Sequence, residues 1–164
     1  MAYLLDANVF IAAKNLHYGF DFCPALWEWL IAENHAGNVF SVEKVGDELQ
    51  AVEDELSVWA DARGPAFFLP PDNAVLEALR VVSAWATSGH YQPSASSTFL
   101  QVADYYLVAH AYAGQHTVVT YEQPSPSTRR IRIPDACIGL KVKCMTPFAM
   151  LKKERARFVL GPKG

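Results

Sequence analysis

Long apolar runs are missing from this 164-residue sequence, and nothing approaches the roughly 18 to 20 apolar positions that a membrane span needs. Met1 leads straight into Tyr3-Leu4-Leu5-Asp6 without the charged leader of a signal peptide, so a soluble, cytoplasmic protein is expected. Cysteine is scarce. Cys23, Cys137 and Cys144 are odd in number and form no C-x-x-C pair, which excludes a disulfide scaffold and points to reduced thiols. Neither Cys137 with Cys144 nor His110 with His116 has zinc-ligand spacing. Internal repeats, low-complexity tracts and nucleophilic Ser or Cys motifs are also lacking. What is present, 51% apolar and 19% charged residues, can bury a core, so one domain over residues 1–164 is expected.

Positive charge is absent over a long stretch, with no Lys or Arg between Arg80 and Arg129. The formal net charge of −3 hides this asymmetry. Residues 1–122 carry 4 Lys/Arg against 15 Asp/Glu, a net of −11, whereas residues 123–164 carry 10 against 2, a net of +8. Such a division fits an acidic site beside a basic tail that meets a polyanion, and it fits equally a solvated surface with a charged last helix.

Apolar periodicity alternates between strand and helix. Strands are expected at Tyr3-Leu4-Leu5, Ala66-Phe67-Phe68-Leu69, Thr117-Val118-Val119-Thr120, Ile131-Arg132-Ile133 and Val142-Lys143-Cys144. Pro24 opens a helix that Gly37 ends. Ser41, Asp54, Asp72 and Thr146 are candidate N-caps, Pro134 begins a short helix, and a helix from about Thr98 to Ala113 stops at Gly114. The pattern implies an α/β fold with a parallel sheet covered on both faces.

In open parallel sheets ligands collect beyond the carboxyl ends of the strands. Asp6 directly follows the first strand, where it can serve a site or cap the next helix. Glu48 lies three residues beyond Val45, at the edge of a buried stripe, although most glutamates on helices are plain surface acids. Asp104 is the one formal charge in Phe99-Leu100-Gln101-Val102-Ala103-Asp104-Tyr105-Tyr106-Leu107-Val108-Ala109. A carboxylate in that setting needs a cationic or hydrogen-bonding partner. Glu122 follows the strand that ends at Thr120, and Asp135 stands at a helix start, where capping is an ordinary role. Gathered carboxylates favour a hard cation with oxygen ligands, Mg²⁺ or Mn²⁺, and such ions suit phosphodiester hydrolysis by an ion-activated water.

These segments, in order, resemble a PIN-domain nuclease: Leu4-Leu5-Asp6-Ala7-Asn8-Val9-Phe10, Val45-Gly46-Asp47-Glu48-Leu49, Ala103-Asp104-Tyr105-Tyr106-Leu107-Val108-Ala109-His110-Ala111 and Val118-Val119-Thr120-Tyr121-Glu122. Phe22-Cys23-Pro24-Ala25-Leu26-Trp27, Ile133-Pro134-Asp135-Ala136-Cys137 and Thr146-Pro147-Phe148 further resemble the PIN-like DUF4411 branch. The resemblance implies a three-layer α/β/α PIN-like fold with a mostly parallel sheet. It also implies a metal-dependent endoribonuclease, often a VapC-like toxin of a type II toxin–antitoxin pair, with RNA as substrate, an antitoxin protein as partner and a homodimer as the assembly. Metal and catalytic roles then fall on Asp6, Glu48, Asp104 and Glu122, with Glu122 standing where the family more often has aspartate. Asp135 is an additional acid, and Asn8 and Thr120 match polar positions that orient the site. Arg129, Arg130, Arg132, Lys141 and Lys143 are candidate RNA phosphate contacts, with no aromatic stacking motif beside them.

Two other readings remain open. A phosphatase of the haloacid-dehalogenase type also begins with a strand ending in aspartate, but requires a second acid where this chain has Asn8. A catalytically inactive PIN-like interaction module would keep the fold without the chemistry.

Overall fold

The run Tyr3-Leu4-Leu5 is buried throughout and forms the central strand, β1 (Tyr3–Leu5). In the computed structural model, which describes residues 1–162, it pairs on one side with β2 (Val39–Val42), itself paired with β3 (Phe68–Leu69). On the other side lie β4 (Thr117–Val119) and β5 (Cys144–Met145), giving the order β3-β2-β1-β4-β5. Every pairing is parallel, so all carboxyl ends share one edge. Nine α-helices among the described residues flank the sheet, consistent with the expected three-layer α/β/α architecture. Strands this short hold because the layers exclude water from both faces: Leu4, Leu5, Val39, Val42, Val118 and Val119 have no exposed surface.

Helix starts follow the expected chemistry at several places. The α2 helix (Pro24–His35) has proline at its first turn and ends before Gly37 at φ 81°. Asp54 and Ser57 close a reciprocal cap on α4 (Glu55–Arg63), and Asp72 caps α5 (Asn73–Ala86) by accepting from the Val75 amide. Thr146 caps α9 (Pro147–Lys153) in the same way.

Other expectations require correction. Ser41 does not cap a helix. It lies inside β2, a strand the apolar pattern did not reveal, and its hydroxyl donates to the Leu5 carbonyl at 2.6 Å. The helix that follows, α3 (Glu43–Gln50), starts without a side-chain cap. Ile131-Arg132-Ile133 is no strand, because Ile133 begins α8 (Ile133–Leu140), and β5 lies at Cys144–Met145 rather than 142–144. The expected helix from Thr98 to Ala113 is two helices. Pro93 opens α6 (Pro93–Phe99), and extended backbone at Val102 resets the chain before α7 (Ala103–Gly114). The stop of α7 is Gln115, in the left-handed region at φ 54°, rather than Gly114. Gly114 is required for space instead, since a β-carbon there would lie 2.2 Å from His116 Nε2.

A similar close approach makes a testable point on α8. A β-carbon at Gly139 would meet the indole Nε1 of Trp85 at 2.2 Å. Gly139→Ala should therefore push α8 off α5 and lower stability by about 1–3 kcal/mol, the usual cost of overpacking, measurable as a shift in urea midpoint. All three cysteines are free, and no helix among the described residues is long and apolar enough to cross a membrane.

Candidate active site at the carboxyl edge of the sheet

Register sets the first two residues of the site. Leu5 pairs with Val119 across β1 and β4, and the Asp6 amide donates to the Val119 carbonyl, so Asp6 and Thr120 emerge side by side from adjacent strand ends. Asp6 is 3% exposed and occupies the N-cap position of α1 (Ala7–Ala12), yet its side chain makes no cap. Its Oδ2 instead accepts from the buried Thr120 hydroxyl at 2.9 Å, and Thr120 Oγ1 accepts from the Glu122 amide at 3.1 Å. Burial pushes the Asp6 carboxyl up to about 6; the Thr120 hydrogen bond opposes the rise, and the charges of Glu122 and Glu48 add to it.

Asp104 comes from the first turn of α7, a position that exists because the chain breaks at Val102. The helix N-terminus favours a carboxylate there. That help is insufficient: burial, then the charges of Asp6, Glu122 and Glu48, lift Asp104 to about 7, with Arg130 pulling the other way. Glu48, on α3 directly after β2, reaches the same cleft from its exposed rim, and desolvation raises its carboxyl too. Asp6, Glu48, Asp104 and Glu122 thus all line one cleft of about 790 Å³.

Glu122 is engaged differently from the other three. Its Oε1 pairs with the Arg130 guanidinium at 2.9 Å, and its Oε2 accepts the Ile133 amide at 2.9 Å, fastening the start of α8. Asp135 does not line the cleft; its carboxylate accepts the Ser125 amide and holds the loop after Glu122. Asn8 is exposed at the cleft wall. Of the five expected phosphate contacts, Arg129 and Arg130 line the cleft and Arg132, Lys141 and Lys143 do not. Lys143 sits at the opposite edge, its carbonyl accepting from Val118 at the amino end of β5.

One cation in the cleft was missed by the sequence reading. Lys44 stands four residues before Glu48, hence on the same face of α3, and its Nζ lies 5.2 Å from the ring centre of Tyr106. The i, i+4 spacing was the available signal.

The Thr120 hydroxyl has two polar partners and the residue is buried, so Thr120→Val strands both. The Asp6 carboxyl should rise above about 6 when followed by carboxyl NMR titration. Stability should fall by about 1–3 kcal/mol, the cost of leaving buried polar groups unpaired.

The donor set, carboxylate oxygens without thiolate or imidazole, fits a hard divalent cation. The carboxylates share a cleft without forming a tight cluster: among the described residues no three His, Cys, Asp or Glu side chains are grouped closely enough to hold one ion as they stand. Burial and mutual repulsion bias Asp6 and Asp104 toward protonation, which positive charge brought into the cleft would reverse.

A wholly parallel α/β sheet with acids converging beyond its carboxyl ends defines the class of protein. The chain belongs to the DUF4411 family, a domain of unknown function, whose profile matches residues 3–158. No curated protein and no solved structure matches it.

Proposed function

We propose that the chain is a divalent-metal-dependent endoribonuclease of the PIN type, acting as the toxin of a type II toxin–antitoxin pair. The observation that carries the chemistry is the convergence of Asp6, Glu48 and Asp104 from three distant segments into one cleft, where Asp6 and Asp104 are held toward the proton-bound form. The toxin role rests on the resemblance of the ordered motifs to that group.

Asp6, Glu48 and Asp104 would hold Mg²⁺ or Mn²⁺. The chemistry such a cation would supply there is polarisation of the phosphodiester and activation of water. Thr120 orients Asp6 through its hydroxyl. Glu122, with both oxygens already paired, contributes negative charge and steadies Arg130 at the wall. Arg129 and Arg130 supply the positive charge that meets the RNA backbone, so binding weakens as salt rises. An antitoxin that covers the cleft, and a homodimer, belong to the same proposal.

The test is cleavage of labelled single-stranded RNA with Mn²⁺ and with EDTA, beside a generic phosphate monoester. Manganese-dependent RNA cleavage without monoester turnover supports the nuclease. Turnover of the monoester alone supports a phosphatase, and no heat on titrating millimolar Mn²⁺ supports an inactive module. Growth arrest on expression, relieved by the adjacent small reading frame, tests the toxin role.

A further inference from the structure

A second hollow of about 460 Å³, which Asp104 does not line, shares Asn8 and Glu122 with the acidic cleft. Its outer wall is the turn Ala13–His17, where α1 continues as a single π-helical turn closed by the Tyr18 amide on the Ala13 carbonyl at 2.7 Å. Such turns are rare overall and frequent at functional sites. This one leaves Leu16 73% exposed and presents His17 at the surface.

His17 and Tyr121 line this hollow, and the ring of Phe148, on α9, packs against both. The His17 centroid lies 5.8 Å from Tyr121 and 5.6 Å from Phe148, and Tyr121 lies 5.6 Å from Phe148. Phe148 is 49% exposed at the second position of α9. The rings are inclined to one another by 38° to 80°, so no two of them are stacked in parallel. Asn8 and Asn15 add carboxamides to the lining.

We infer that His17, Tyr121 and Phe148 form a nucleobase-stacking subsite for the nucleotide next to the one whose phosphate enters the acidic cleft. This deepens the nuclease reading and rests on it. A base matches the hollow because it has flat apolar faces for the rings and a polar edge for the two carboxamides. Because Asn8 and Glu122 line both the hollow and the cleft, the two lie side by side, close enough for neighbouring nucleotides of one strand. Every base has a π-face, so the subsite distinguishes single strands from duplex, where bases are stacked away, more than one base from another.

The experiment measures, in EDTA, the anisotropy of a short labelled oligouridine and of an abasic strand of equal length. The wild type should prefer the oligouridine by about tenfold, as for one lost stacking contact, and His17→Ala/Phe148→Ala should erase the preference. On the wild type alone, AMP should shift the imidazole proton resonances of His17 while ribose 5-phosphate leaves them unmoved. Equal affinity for the two strands, or an undiminished preference in the double variant, overturns the subsite. If manganese-dependent cleavage persists in that case, the nuclease reading stands without it. A base preference in a protein that cleaves no RNA retains the subsite and removes the nuclease, and binding of neither strand together with no manganese-dependent cleavage removes both.

Discussion

Asp104→Asn should lower manganese-dependent RNA cleavage by roughly a thousandfold, the several kcal/mol that a correctly held cation's charge contributes to phosphodiester chemistry. Asp104 comes from a helix start opposite the strand ends, so no other carboxylate can replace it without moving α7. Asp6→Asn should have a similar effect, since its amide oxygen can still accept from Thr120 but carries no charge for the cation. Asp47→Asn is the control, because Asp47 is an exposed acid beside Glu48 that does not line the cleft. Circular dichroism and thermal melts should show both site variants folded. Cleavage within tenfold of wild type for folded Asp104→Asn would remove Asp104 from the site and with it the reading of the cleft.

The acids were legible in the sequence because each broke a local rule. Asp6 follows directly on a wholly apolar strand, and Asp104 is the one charge among apolar and aromatic residues. Their convergence follows once the parallel sheet is accepted, since strand ends on one edge bring Asp6 and Thr120 together whatever lies between them. Asp135 was misplaced because a helix-start acid looks the same whether it faces a cleft or, as here, anchors the Ser125 amide. Ser41 was misread for a related reason: a serine before a helix suits capping, but its bond to Leu5 is a contact across 36 positions that local pattern cannot show. The break at Val102 left no proline or glycine in the sequence. The aromatic group at the cleft margin was invisible for a third reason, because His17, Tyr121 and Phe148 lie far apart in the chain and depend on a π turn that has no periodic signature.

The metal-free protein should lose a few kcal/mol of stability from Asp104 and Asp6 as pH rises from about 4 to about 7. Both carboxyls ordinarily titrate near 3.8 and are held at about 7 and about 6 in the folded chain. Between those values the native state binds more protons than the unfolded one, so their contribution is full below pH 4 and is lost as pH climbs through the native pKa values. His110 acts in the opposite sense. Burial lowers it from 6.5 to about 4, so its contribution is complete above pH 6.5 and is lost on acidification. The wild-type profile alone therefore partly cancels, and the informative quantity is the difference between wild type and Asp104→Asn. That difference should be near its minimum at pH 4 and should grow to a few kcal/mol in favour of the variant at pH 8, because asparagine carries no charge to desolvate. Mn²⁺ should narrow that gap at pH 8 by stabilising only the wild type, by about 2.7 kcal/mol when its concentration is a hundred times the dissociation constant. Since the cation displaces protons, its binding near pH 6 should release them, seen as a calorimetric heat that changes with the buffer's ionisation enthalpy. Parallel stability profiles for the two proteins across pH 4 to 8 would mean that Asp104 feels neither the burial nor the neighbouring carboxylates that define the cleft.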